Sequence, residues 1–362
     1  MLFSGRRDGN HEEKTMTQPT RFSAATLLGG AVVALAIVIG VIAWLSIDPS
    51  GEQGSGLPES FDYSLESYQK IDPALIHYVQ KTTIPLDMHE PRAVAVGLGD
   101  RIFAAGDKAI HIFDSDGKKL EHIALEQEPY CLAVAGVERL AADTRLYVGM
   151  KDHVEVYDGK GRRLRVWNRP SARAVLTSIA VTDMDVFVAD AGSPVVWRYD
   201  FDGNVLGRIG RRDREREIPG FIVPSPYFDL AMAPDGLLRV VNPGMHRIEA
   251  YTVDGHLELF WGRPGMGIET FCGCCNPANI AILDDGRVVT AEKGIPRVKV
   301  YRATGEFESV VVGPETLARH SSATVETRDE HRLCPVDLAV DRRSRILVLD
   351  SAADCVRVYE HQ

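Results

Sequence analysis

Residues 277–312 read PANIAILDDGRVVTAEKGIPRVKVYRATGEFESVVV, and this stretch holds four short strands in a row. ANIAI, RVVTAE (287–292), RVKVY (ending at Tyr301) and FESVVV are rich in β-branched and aromatic residues. Asp-Asp-Gly, Gly-Ile-Pro and Ala-Thr-Gly separate them, so the unit reads as an antiparallel meander with tight turns. The same unit recurs along the chain. First strands open at Pro91-RAVAV, Pro129-YCLAV, Thr177-SIAV, Pro226-YFDLAM, Pro277-ANIAI and Pro335-VDLAV. Second strands are RIFAAG (101–106), RLYVGM (145–150), DVFVAD (185–190), LLRVVN (237–242), RVVTAE and RILVLD (345–350). Third strands end in an aromatic residue at Phe113, Tyr157, Tyr199, Tyr251, Tyr301 and Tyr359.

Repetition about every 35–55 residues is the spacing of propeller blades. The sixth unit stops one strand short at Gln362, while a spare strand, IHYVQKTTI (76–84), precedes the first. That strand is expected to complete the last blade and close the ring, which also removes exposed sheet edges. The expected fold class is therefore all-β, a six-bladed β-propeller. The pattern P-x-x-[ILV]-A-[VI] … [ILV]-x-V-[AL]-D … [RH]-[VI]-x-V-[YF] … D-x-x-G resembles the NHL repeat over roughly residues 76–362. Gly106 and Gly149-Met150 depart from it, replacing the usual acidic end of the second strand. The resemblance implies a scaffold shared by protein-binding modules, secreted amidating lyases and sensor domains, so it does not select an activity. The lyases hold zinc with histidines from several blades, whereas here only His153 and His246 occupy comparable loops.

Upstream of the repeats, AATLLGGAVVALAIVIGVIAWLSI (24–47) contains no charged residue and is long enough for a membrane helix or signal-anchor, with Trp44 near one end. Arg6, Arg7, Lys14 and Arg21 precede it, which predicts a cytoplasmic N-terminus and a periplasmic or equivalent location for the rest. The expected organisation is a cytoplasmic tail (1–23), a single-pass anchor in membrane lipid (24–47), a Gly/Ser/Pro-containing linker (48–75) and the propeller (76–362).

The 362 residues carry 41 Lys+Arg against 51 Asp+Glu, and the net charge of −10 argues against a nucleic-acid partner. No P-loop, nucleotide fingerprint or Ser-His-Asp arrangement is recognisable. The six cysteines all map to one face of the ring, called the top, where first strands begin and the crossovers between blades lie. Cys272, Cys274 and Cys275 occupy the crossover into blade five, Cys334 the crossover into blade six, Cys131 the start of a first strand, and Cys355 a strand-2/3 loop.

Four sulfurs at Cys272, Cys274, Cys275 and Cys334 suit zinc, an iron–sulfur cluster or copper, with electron transfer as the sharpest version. Structural disulfides and thiol redox chemistry are the competing readings. Asp229, Asn279 and Asp337 are expected to ring the channel mouth, where they either hold a cation such as calcium for a hydrolase, lactonase or lyase, or tie neighbouring loops through backbone N–H groups. Asp107, Asp152, Asp190, Asn242, Glu292 and Asp350 occupy the strand-2/3 loops. Lys293 beside Glu292 either pairs with a local carboxylate or lowers a thiol pKa. The long crossovers 211–225 and 313–333, containing or flanked by His320 and His331, lie on the same face, which is therefore the expected surface for a protein partner.

Overall fold

The computed structural model describes Gly30, residues 33–41, 66–136, 144–317 and 335–362. The chain divides into two units, Met1–Ser64 and Leu65–Gln362. In the first, residues 33–41 are helical. Among the described residues no helix is long and apolar enough to cross a membrane. Most of the expected 24–47 anchor lies outside the described residues.

The second unit contains six four-stranded antiparallel sheets. Blade one comprises β2 (Pro91–Val96), β3 (Ile102–Gly106), β4 (Ala109–Phe113) and β5 (Lys119–Ala124). Blade two comprises β6 (Cys131–Ala135), β7 (Arg145–Gly149), β8 (Val154–Asp158) and β9 (Arg163–Val166). Blade three is β10 (Leu176–Val181), β11 (Val186–Asp190), β12 (Val195–Tyr199) and β13 (Val205–Ile209). Blade four is β14 (Leu230–Met232), β15 (Leu238–Asn242), β16 (Arg247–Tyr251) and β17 (Leu257–Trp261). In blade five, β18 (Asn279–Ile282) is followed by β19 (Val288–Glu292), β20 (Arg297–Tyr301) and β21 (Phe307–Val312).

Blade six contains β22 (Pro335–Val340), β23 (Ile346–Asp350) and β24 (Cys355–His361), and β1 (Tyr78–Pro85) supplies its fourth strand. Ile84 pairs with Val356 and Tyr78 with His361, so the two ends of the ring are joined by a strand ladder. Inner strands follow one another around the ring, β2 touching both β6 and β22. Pro73–Leu75 form a 3-10 turn, and His77 N–H donates to Val310 on the outer strand of blade five.

The core lies between blades, because each sheet must cover both faces with apolar side chains. Tryptophans at the ends of fourth strands join third-strand tyrosines in filling those interfaces: Trp167 packs between Tyr147 and Tyr199, and Trp261 between Phe271 and Tyr301. The glycine in blade two that breaks the repeat has a packing cause. A Cβ at Gly149 would lie 2.2 Å from Cys131 Sγ, so the inner-strand cysteine requires a glycine opposite it.

Candidate functional site: the top mouth of the channel

Six inner strands enclose a central cavity of about 280 Å3. Its wall is mostly Val, Ala, Leu and Ile, interrupted by Thr177, Ser178, Asp229 and Asp337. Asp229 Oδ1 accepts from Leu230 N–H at 2.8 Å, and Oδ2 accepts from Ile280 N–H on the next blade at 2.7 Å. Asp337 repeats the device: Oδ1 accepts from Leu338 N–H at 2.9 Å and Oδ2 from Val94 N–H at 2.8 Å. Burial pushes the Asp229 carboxyl up to about 6. Burial, and then the charge of Asp229, hold Asp337 well above the ordinary carboxylate range.

Above this cavity opens a pocket of about 340 Å3 whose lining includes Arg92, Tyr130, Thr177, Tyr227, Asn279 and Asp337. Thr177 and Asp337 border both spaces. The Arg92 guanidinium lies 4.8 Å from the centre of the Tyr130 ring, and Lys293 Nζ lies 4.4 Å from that of Tyr227. Two aromatic residues of the lining thus each carry a cation on the face of the ring. Asn279 Oδ1 is buried without a hydrogen-bond partner among the described residues. Arg92 Nε is also buried without one, being 3.8 Å from the Glu128 carboxylate. Asn279 thus offers an unused acceptor, which suits a ligand N–H or O–H, while the Arg92 guanidinium is ion-paired with Glu90 at 2.8 Å and with Glu128.

Of the mouth residues, Asn279 and Asp337 were legible from the repeat register, and Arg92, Tyr130 and Tyr227 were not singled out. The signal existed: each directly follows the proline that opens its blade. A β-meander places that position where the first strand emerges at the top.

Asp229, Asn279 and Asp337 border the channel and its mouth. Calcium takes six to eight oxygen ligands. The four carboxyl oxygens of Asp229 and Asp337 each accept one backbone N–H group, the tying role expected as the alternative to a cation site. Among the described residues, no three His, Cys, Asp or Glu side chains gather as a metal site. His153 is held by Asp152 and Glu155, and His246 Nε2 meets the Gly273 carbonyl oxygen at 2.5 Å.

The cysteine-ligated metal or iron–sulfur centre, and the electron transfer built on it, are overturned by that absence of a gathered ligand set among the described residues and by the placement of the sulfurs. Cys272 Sγ faces the buried ion pair of Glu292 and Arg297, at 3.6 and 3.7 Å. Burial and the Glu292 carboxylate push its thiol pKa up, opposite to what a thiolate ligand needs. Cys274 and Cys275 are directed to each other instead. Cys131, Cys272, Cys274, Cys275 and Cys355 are all free, so the structural disulfides expected among them are absent too. Cys334 lies outside the described residues, as do His320, His331 and most of the 313–333 crossover. Cys131 sits in the channel wall and Cys355 is buried at the start of β24 with its pKa raised to about 11, chiefly by burial. Both are small apolar packing groups.

Glu292 and Lys293 also part company. Glu292 binds Arg297 and the fully buried Lys299, whose Nζ donates to the Ile268 and Thr270 carbonyls and thereby anchors the cysteine loop. Lys293 donates to Ser225 Oγ at 3.1 Å. Three other second-strand ends tie down incoming crossovers, while Asp350 instead binds Ala353 and Arg357 of its own blade. Asp107 accepts from His89 and Glu90, Asp190 from Val175, and Asn242 from Ile222.

Fold and site together define a six-bladed β-propeller with a polar, aromatic-lined top mouth. Neither a protein-family model nor a curated protein sequence matches the chain. Among solved structures it is similar to a streptogramin B lyase, with TM-score 0.52, 13% identity, and coverage of 80% of this chain and 100% of that one. It is similar also to a virginiamycin B lyase from Staphylococcus aureus, with TM-score 0.52, 12% identity, and coverage of 79% and 100%. At such identities the likeness establishes the fold.

Proposed function

We propose that this propeller is an enzyme of the hydrolase, lactonase or lyase kind, acting on a small polar substrate at the top mouth. The observation that carries this reading is Asp337, a carboxyl of raised proton affinity at the junction of mouth and channel. Its backbone hydrogen bonds orient the carboxyl while leaving a second lone pair on each oxygen for proton transfer. Arg92 and Asn279 supply the donor and acceptor that hold a carbonyl-bearing substrate, and Tyr130 and Tyr227 provide apolar contact. The two lyases of similar fold make streptogramin B a reasonable first substrate, with simple lactones beside it.

Loss of substrate is followed by chromatography for the wild type, Asp337→Asn and Arg92→Gln. Turnover that Asp337→Asn abolishes, with substrate binding retained, supports the assignment. Turnover unaffected by both substitutions removes the mouth as the active site.

We further infer an NHL-type repeat protein anchored through residues 24–47, with the propeller on the periplasmic side. The uncharged run, its basic N-terminal flank and helical residues 33–41 support this. Fractionation and protease protection in intact spheroplasts test it. Digestion of the propeller from outside is expected, and full protection would reverse the orientation.

A further inference from the structure

The crossover into blade five places two neighbouring thiols in contact. Cys274 is exposed and Cys275 is buried, yet their Sγ atoms are only 3.0 Å apart. The loop is held rigidly around them. Asn276 donates to the carbonyls of Cys272 and Lys293, its Oδ1 accepts from Lys293 N–H, and His246 grips Gly273. Ser225 and the Lys293 ammonium, themselves 3.1 Å apart, both interact with Cys275. We propose that Cys274 and Cys275 form a reversible thiol–disulfide pair that exchanges with low-molecular-weight disulfides.

The division of labour follows from position. Cys274 alone of the two reaches solvent, so it meets the small disulfide RSSR. A mixed disulfide Cys274–S–SR forms there and one RSH leaves. Cys275 then attacks Cys274 Sγ as a thiolate, the Cys274–SR bond breaks, and the second thiolate RS⁻ departs. Two electrons pass from the cysteine pair to RSSR, which ends as two thiols. Ser225, Cys274 and the positive charge of Lys293 hold the Cys275 thiol below its ordinary range, which favours the attacking form. Adjacent Cα atoms are about 3.8 Å apart, closer than in most disulfides, so the bond formed is readily reduced again.

This pair is independent of the metal centre set aside above, and Cys272 takes no part because its sulfur faces Glu292 and Arg297. It also stands independently of the activity proposed for the mouth. The two places communicate nevertheless: Lys293, which loses its thiolate partner on oxidation, rests on Tyr227 of the mouth lining.

The full chain in detergent is treated with glutathione disulfide, quenched with an alkylating agent and mapped by mass spectrometry. A single peptide containing both Cys274 and Cys275, two hydrogens lighter, unalkylated and restored by dithiothreitol, is expected. In Cys275→Ser the glutathione adduct on Cys274 should accumulate instead, and Lys293→Met should slow ring closure several-fold. A glutathione adduct that persists on Cys274 in the wild type overturns the proposal. So does a disulfide from either residue to any other cysteine.

Discussion

Val94 donates its backbone N–H to Asp337 Oδ2 over 2.8 Å, joining inner strands that lie 243 residues apart in the chain. Asp229 makes the equivalent bond to Ile280, so blades six and one, and blades four and five, are tied by carboxylates in the channel wall. Asp229 is buried and Asp337 half-buried at a position that disfavours their charged form, and this has a measurable consequence.

Stability should fall as pH rises. The folded pKa of Asp229, about 6, lies above its value of about 3.9 in an unfolded chain. Between those values the native state binds more protons than the unfolded state, so its stabilisation is complete below about pH 4 and is lost as pH rises through about 6. The shift corresponds to a contribution on the order of 2–3 kcal/mol, and Asp337 acts in the same direction. Urea unfolding between pH 4 and 8 should show this slope, and Asp229→Asn should flatten it. An unchanged slope in that variant would refute the assignment.

The β1–β24 ladder should carry ring closure. Ile84 is 2% exposed and pairs with Val356. Ile84→Ala is expected to cost about 2–5 kcal/mol in chemical denaturation. A loss below about 1 kcal/mol would mean that the ring holds without this strand.

Asp190 is fully buried and accepts from Val175, Gly192 and Ser193 N–H and from Trp197 Nε1. Asp190→Ala leaves several of these donors unsatisfied and should cost about 3 kcal/mol or more. Because Val175 and Leu176 line the mouth, ligand binding there should weaken as well. Isothermal calorimetry beside a thermal melt separates the two effects.

Lys299→Met should release the cysteine loop. The substitution removes one cation from Glu292 and leaves the Ile268 and Thr270 carbonyls without their donor, at an expected cost of about 3 kcal/mol. Cys272, normally shielded at 4% exposure, should then alkylate faster with iodoacetamide. Wild-type alkylation rates in the variant would count against the anchoring role.

Ring architecture was legible in the chain because the signals are local and repeated. Alternating apolar strands and a third-strand aromatic occur in each blade and Asx-Gly turns in five of the six, and every sheet appears close to its expected place. The spare strand at Tyr78–Pro85 was legible by counting, since a blade missing one strand leaves an open edge. The strand positions of Cys131 and Cys355 and the crossover position of Cys272, Cys274 and Cys275 also followed from register. What their sulfurs touch did not: C-G-C-C proximity suggested one site, whereas Cys272 turns to Glu292 and Arg297 while Cys274 and Cys275 turn to each other.

Sequence by itself therefore determined the strand order, the six-fold repetition, the closing strand and the top-face location of Asp229, Asn279 and Asp337. These depend on periods of two residues along a strand and about fifty along the chain. Tertiary structure alone decided which polar groups are already satisfied. One oxygen each of Asp229 and Asp337 is taken by a backbone N–H of the neighbouring blade and the other by the next residue of its own strand, and Asn279 keeps an unpaired acceptor in the mouth. Hydrogen-bond satisfaction depends on distances between strands far apart in the chain, and no local pattern encodes those.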